Sequence, residues 1–178
     1  MNNSIDNTNF LGVYYDNNLN PYILAGNFGN VKIFDFSKKK LLNTYIDYNK
    51  QINYLSIIIK ENENKNKNLI VTGADGFLRI WDFNSNNLIC KIYSEVDKWL
   101  IGLCQLNNQY ILATCWDGNL KEFDLLSNTF VTSFKGNNNE NNIEDNPLFT
   151  VKKFEIGGKI FLVSHSKKGI IQLWENEQ

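Results

Sequence analysis

The amino-acid sequence predicts an all-β protein built from four stacked repeat units. Apolar residues recur in short strand-like runs separated by Gly, Asn and Asp, and no helical spacing of apolar residues persists for three turns. Four segments share one pattern: an apolar run, a turn, and an alternating strand that ends in an aromatic and an acidic residue. The aromatic residues stand at positions 34, 81, 123 and 174, at intervals of 47, 42 and 51 residues. Intervals of this length are typical of repeated supersecondary units.

The repeated segments predict the two central strands of each unit. These segments span residues 22–35, 69–82, 110–124 and 160–175. Glycine in their turns permits backbone torsions that a β-carbon would obstruct. The apolar runs are nearly continuous, which favours strands that are buried on both faces.

These segments also resemble a known family. Trp81-Asp82, preceded by Asp75-Gly76, is similar to a WD40 repeat, and the other three segments resemble weaker copies. The resemblance implies four WD40-like blades of a β-propeller, each a four-stranded antiparallel sheet. It implies a single domain over residues 1–178, with repeats at about 10–46, 52–93, 99–134 and 149–176. No fourth strand is visible for the last blade, so we expect a partial or unclosed propeller, the C-terminal part of a larger one.

Within the repeats, the resemblance assigns structural roles to particular residues. A hydrogen-bonded ladder is implied for Thr72, Asp75 and Trp81, and again for Thr114 and Asp117 with Phe123 in the Trp place. Phe cannot donate an indole N–H, which shortens the second ladder. The paired aromatic and acidic positions are Phe34 and Asp35, Trp81 and Asp82, Phe123 and Asp124, and Trp174 and Glu175.

The sequence departs from the family pattern in several places. The Gly-His dipeptide of the family is absent, and the one histidine, His165, stands elsewhere. Phe28 and Lys168 occupy the turn-Asp position of the first and fourth repeats. We therefore expect packing, more than polar ladders, to hold the repeats together.

Two asparagine-rich segments, 61–68 and 136–146, interrupt the pattern as insertions. The chain contains 30 Asn, and these segments are too polar to order themselves by burial. They are interpreted as mobile loops, with binding loops that order on a partner as the alternative.

Composition argues against several functional classes. The net charge is −1, and 17 scattered Lys with one Arg form no basic patch for nucleic acid or for a membrane surface. No apolar run could span a bilayer, and the N-terminus lacks the pattern of a signal peptide. Three cysteines without CxxC spacing (Cys90, Cys104 and Cys115) favour a reduced setting, cytoplasmic with nuclear as the alternative.

Catalytic chemistry finds little support in the sequence. One histidine cannot supply a two-His metal site, and no HExxH, GxSxG or Walker A motif is present. His165 is interpreted as a structural strand residue rather than a catalytic base, and Cys115 as a small buried residue rather than a reactive thiol. The acids of the four repeats occupy the same position in each repeat, which indicates that the fold requires an acid there. We expect no enzyme activity, no cofactor and no metal.

The better functional signal is a pair of tryptophans, Trp99 and Trp116. In WD40 domains the start of the first strand and the residue before the turn Asp contribute to the partner-binding face, and these two residues occupy those places. The alternative is that either Trp is core. A ubiquitin-ligase receptor role is not supported, because Ser37, Asn84, Leu126 and Glu177 stand where a basic residue is expected.

The sequence therefore favours a non-catalytic scaffold that binds other proteins. The alternatives are a truncated fragment of a longer WD40 protein and, less favoured, an enzyme or small-ligand binder. Self-association through the open ends of the propeller is a further expectation.

Overall fold

The architecture comes from a computed structural model that describes the backbone of residues 10–16, 18–51, 54–62, 65–136 and 146–175. Side chains are described for the same residues except 27–29, 46–51, 54–62, 65–68 and 175. Every regular element in these ranges is a β-strand, as the alternating apolar pattern predicts. No helix among these residues could cross a membrane.

Fourteen strands form four antiparallel sheets in the described part of the chain. The first sheet contains β1 (Phe10–Tyr15), β2 (Pro21–Asp35) and β3 (Lys40–Gln51). The second contains β4 (Tyr54–Asn62), β5 (Lys65–Ala74), β6 (Phe77–Asp82) and β7 (Leu88–Tyr93). The third contains β8 (Leu100–Gln105), β9 (Tyr110–Cys115), β10 (Asn119–Asp124) and β11 (Thr129–Lys135). The fourth contains β12 (Leu148–Ile156), β13 (Lys159–Ser166) and β14 (Ile171–Glu175).

The long strand β2 folds back on itself, and its two halves take the places of two strands. Fifteen extended residues would span about 45–50 Å. Instead, the backbone N–H of Phe36 donates a hydrogen bond to the carbonyl of Pro21 at 3.1 Å, which brings the two ends together. Residues 21–26 pair with β1, and residues 30–35 pair with β3. The first sheet thereby keeps the sequence of pairings seen in the second and third.

Each sheet packs on the next one along the chain, and a separate apolar core fills each junction. Tyr14, Val31 and Tyr45 of the first sheet meet Ile70 and Trp81 of the second. The second core joins Val71, Leu78 and Ile80 to Leu100, Ile111 and Phe123. The third joins Leu112 and Leu120 to Leu148, Val151 and Leu162.

Strand β9 shows why the central strands lack a polar face. Ile111 and Ala113 point into the core shared with the second sheet, whereas Leu112 points into the core shared with the fourth. Successive side chains of a strand point to opposite faces, so a central strand of a sheet between two neighbours is buried on both faces. This confirms the all-β, repeated-sheet prediction in its coarse form.

The structure corrects the interpretation of the first insertion. The first, 61–68, was expected to be a loop, yet β4 continues to Asn62 and β5 begins at Lys65, with Glu61 opposite Asn66. Backbone pairing extends the hairpin because it needs no apolar side chains. Most of the second, 136–146, lies outside the described residues. Its last residue, Asn146, is buried, and its side-chain oxygen accepts a hydrogen bond from the Lys168 amide at 3.0 Å.

Candidate interaction site

Local strand geometry places Trp99 and Trp116 side by side at one edge of the third sheet. Trp99 directly precedes β8, and Trp116 directly follows β9. The Trp116 amide donates to the Trp99 carbonyl at 2.8 Å, which extends the antiparallel pairing by one more pair. Their neighbours Leu100 and Cys115 are fully buried, so alternation directs both indoles away from that core.

The two indole rings contact each other edge to face. Their centroids are 5.3 Å apart, with an interplanar angle of 71°. Trp99 is 45% exposed, and Trp116 is partly buried. The two side chains therefore lie side by side, and neither of them lies wholly in the core.

The row of rings continues onto the fourth sheet. Phe149 lies 6.4 Å from Trp116, and His165 lies 6.0 Å from Phe149, measured between ring centroids. Sequence reasoning did not include these two residues in the site. A signal for Phe149 was present, because it begins the predicted repeat 149–176 as Trp99 begins the predicted repeat 99–134.

A cleft of about 280 Å³ opens beside the tryptophans and is lined by Asp97, Lys98, Trp99 and Trp116. Asp97 accepts a hydrogen bond from the Tyr93 hydroxyl at 3.2 Å. Burial first, and then this carboxylate, raise the pKa of Tyr93, so the phenol stays protonated and keeps donating. The cleft combines two aromatic side chains with one acidic and one basic residue. Such a surface suits a partner whose contact surface is largely apolar and carries a few charged groups.

The structural repeat positions form hydrogen bonds that differ between sheets. The Trp81 indole N–H donates to the Thr72 hydroxyl at 3.1 Å, and the Trp174 indole N–H donates to the Ser164 hydroxyl at 2.9 Å. In the third sheet Phe123 is fully buried, and the Thr114 hydroxyl accepts the Gly102 amide instead, at 2.8 Å. The Trp81–Thr72 link of the expected ladder is therefore present.

The turn aspartates bind buried cations. Asp75 pairs with Arg79 at 3.0 Å, and Asp117 pairs with Lys121 at 3.1 Å. The side chains of Arg79 and Lys121 are 3% and 4% exposed, so each needs the nearby carboxylate to offset its desolvation. The ladder expectation missed this repeated Asp-to-cation spacing of four residues, although the sequence shows it twice.

The acids that end the third strand of the first three repeats cap the following turn. Asp35 accepts the Lys38 amide at 2.8 Å, Asp82 the Ser85 amide at 2.8 Å, and Asp124 the Leu126 amide at 2.7 Å. The Lys38 amide first, and then the Lys38 ammonium at 3.1 Å, lower the pKa of Asp35. The pKa of Asp124 is also lowered: burial opposes the shift, but the Gln109 side chain and the turn amides outweigh it.

The capped turns share one backbone conformation. Four residues after each of the three acids the chain adopts a positive φ, 51° at Lys39, 64° at Asn86 and 57° at Asn128. The equivalence of the three turns agrees with the interpretation of these acids as a fold requirement. Phe34 lies on β2, partly buried; the side chain of Glu175 lies outside the described residues.

Reactive side chains are dispersed. Burial first, and Asp117 second, raise the pKa of the Cys115 thiol to about 12, and its side chain has no exposed surface. His165 is exposed, and its ring contacts Phe149. Among the residues the structure describes, no three His, Cys, Asp or Glu side chains come together as metal ligands.

The repeated antiparallel sheets fit a β-propeller-like fold. No family model and no curated protein matches the sequence. Many solved structures match the fold, among them the crystal structure of the computationally designed Ika4 protein. That structure has a TM-score of 0.66 and 17% identity, over 97% of this chain and 94% of the other. At this identity the likeness shows the fold alone.

Proposed function

We propose that this chain is a non-catalytic protein-binding scaffold of the WD40-repeat type, and that Trp99 and Trp116 contact its partner. The observation that supports the proposal most is the edge-to-face indole pair, with Trp99 45% exposed beside a cleft of about 280 Å³. The repeat pattern around Trp81-Asp82, combined with four stacked sheets, supports the WD40 assignment.

The physical argument rests on the rigidity of the indole pair. A Trp side chain buries a large area for little loss of rotamer freedom, and such residues dominate binding energy at interfaces. Each ring here is held by the other, and Trp116 is held further by Phe149. A partner that covers Trp99 therefore gains apolar contact without ordering a flexible surface.

A second candidate is a fragment of a longer WD40 protein. The observation that favours it is the exposed apolar surface on the two end sheets, such as Val13 at 61% and Leu173 at 61%. In a longer chain, further blades would cover both surfaces. An enzymatic role has no comparable support, since His165 and Cys115 are not gathered with other reactive groups.

The test compares Trp99→Ala with Leu126→Ala, a matched loss of an exposed apolar side chain on another turn. Proteins retained by the parent chain from a cell extract are purified, and the Kd of each is measured directly. We expect at least one partner whose affinity falls about tenfold or more for Trp99→Ala and stays unchanged for Leu126→Ala.

Trp116→Phe provides an independent variant, because it keeps an aromatic ring in the row while trimming the indole. We expect a smaller loss of affinity than for Trp99→Ala. If every purified partner binds the two tryptophan variants as tightly as the parent, the aromatic cleft is not the binding site.

A further inference from the structure

A second cavity, of about 370 Å³, lies between the third and fourth sheets, away from the aromatic cleft. Its walls include Tyr110, Glu122, Val131 and Phe134 of the third sheet, and Leu162 and Trp174 of the fourth. We call this cavity the outer groove. Most of its lining is apolar, and Glu122 is the one carboxylate in it.

The two earlier junctions show what normally covers such a position. In the first, the Tyr45 hydroxyl of β3 donates to the Phe83 carbonyl at 2.9 Å, and the side-chain amide nitrogen (Nδ2) of Asn86 donates to the Thr44 carbonyl at 3.2 Å. The second sheet therefore reaches over the outermost strand of the first.

In the second junction, β11 covers β7. The thiol of Cys90 on β7 lies 3.3 Å from the side-chain oxygen of Asn128, and Phe130 packs against the same core. The outermost strand of each sheet is thus covered by the outermost part of the next sheet.

The third junction lacks that cover within the described residues, because the fourth sheet contributes only β12, β13 and β14. Val131 and Phe134 of β11, the outermost strand of the third sheet, are 46% and 41% exposed. Both line the outer groove, together with Trp174 of β14.

Strand β14 has an open edge next to this space. It pairs with β13 on one side, and in the described part of the chain no strand pairs with its other side. An edge strand presents alternate N–H and C=O groups that can bond an added strand. The open edge and the outer groove therefore lie together.

The carboxylate of Glu122 favours a positively charged group in whatever fills the outer groove. It is partly buried, and neither a hydrogen bond nor an ion pair joins its carboxylate to another described residue. Burial first, and Asp124 second, raise the pKa of Glu122. Partial burial disfavours the charged form of this carboxylate, and a cation from outside would favour it.

We propose that the outer groove binds an extended segment of a partner protein, which adds to β14 as an antiparallel strand. Its inward side chains are apolar where they meet Val131 and Phe134, and one of them is a Lys or Arg that pairs with Glu122. This site is separate from the aromatic cleft and does not depend on the function assigned to that cleft.

The probe is a displayed library of linear peptides of about twelve residues, with alternate positions restricted to Val, Ile, Leu, Phe, Lys and Arg. It is selected against the whole chain, and the affinities of selected peptides are measured by fluorescence anisotropy. We expect a basic residue at one register position, and a loss of affinity of about tenfold or more in Glu122→Lys and in Val131→Asp. Val131→Asp changes an exposed side chain, so its fold is expected to persist if Glu122→Lys misfolds.

Charge reversal sharpens the test. A peptide whose basic residue is replaced by Glu should regain affinity for Glu122→Lys. The controls Glu95→Lys, on an exposed turn residue, and Trp99→Ala should bind the selected peptides within about twofold of the parent.

Three results would overturn the proposal: no peptide is selected, the selected peptides lack a basic residue, or Val131→Asp binds them as tightly as the parent. A parent chain that forms a dimer which Val131→Asp dissociates would also overturn it, since the occupant would then be a second copy. The circular dichroism of each variant is compared with that of the parent to confirm the fold.

Discussion

At the residue scale, the clearest structural contact is the hydrogen bond between Trp81 and Thr72. Both residues are buried, and the indole N–H donates to the hydroxyl at 3.1 Å. Trp81 also contacts Tyr45 of the first sheet, with ring centroids 5.8 Å apart. One side chain thus links its own sheet to the preceding one.

Replacing Trp81 should separate the contribution of its hydrogen bond to stability from the contribution of its packing. We expect Trp81→Ala to lower the free energy of unfolding by about 3–5 kcal/mol, because it leaves a large cavity. Trp81→Phe keeps most of the ring and should cost about 1–3 kcal/mol, since the Thr72 hydroxyl loses its donor in a buried site. Urea unfolding followed by circular dichroism measures both.

Thr72→Val is the matched partner variant for this prediction. In the double variant neither group remains to be satisfied, so its cost should be smaller than the sum of the single costs by about 0.5–1.5 kcal/mol. Additive costs would mean that the hydrogen bond contributes nothing to stability.

At the element scale, close approach between sheets depends on a glycine in β8. A β-carbon on Gly102 would lie 2.8 Å from the Phe149 carbonyl oxygen and 3.1 Å from the Thr150 Cα, both backbone atoms of the fourth sheet. Backbone cannot rotate away as a side chain can, so the third and fourth sheets would have to separate.

Gly102→Ala should therefore lower the free energy of unfolding by about 1–3 kcal/mol. The matched control is Gly12→Ala, at the third residue of β1 as Gly102 is the third of β8. A β-carbon there would meet only the ring of Phe10, which can move. Thermal unfolding of the two variants is compared; equal melting temperatures would contradict the close-approach argument.

The element scale also explains where sequence reasoning failed. The polar segment 61–68 was expected to be a loop because burial was taken as the requirement for order. Its strands instead continue by backbone pairing, as between Glu61 and Asn66. The prediction from composition considered only the side chains, whereas the hydrogen bonds between paired strands join backbone N–H and C=O groups and do not require apolar side chains.

At the scale of the whole molecule, the described residues expose apolar side chains on both end sheets. The first sheet exposes Leu11, Val13 and Tyr15 at 67%, 61% and 57%. The fourth exposes Ile171 and Leu173 at 72% and 61%. Each internal sheet packs on both neighbours, and these end faces are suited to form one more junction of the same kind. A contiguous apolar surface of this kind is rare on a stable monomer.

We therefore expect the isolated chain to self-associate head to tail, with the fourth sheet of one copy against the first sheet of another. Light scattering after size exclusion at micromolar concentration measures the mass. The double variant Ile171→Lys, Leu173→Lys should shift the chain toward the monomer, whereas Leu126→Lys, equally exposed but away from the end faces, should not. A parent that remains a monodisperse monomer would contradict this expectation.

The features that repeat along the chain could be predicted without a structure: strands with two apolar faces, the turn acids Asp35, Asp82 and Asp124, and the positions of Trp81, Trp99 and Trp116. These are local, because pattern, turn chemistry and spacing act within one sheet. The tertiary arrangement brought Phe149 to the tryptophans, paired Glu61 with Asn66 and left the Glu122 carboxylate without a bond to any other described residue. These features depend on which sheet faces which, and no local pattern specifies distances between sheets.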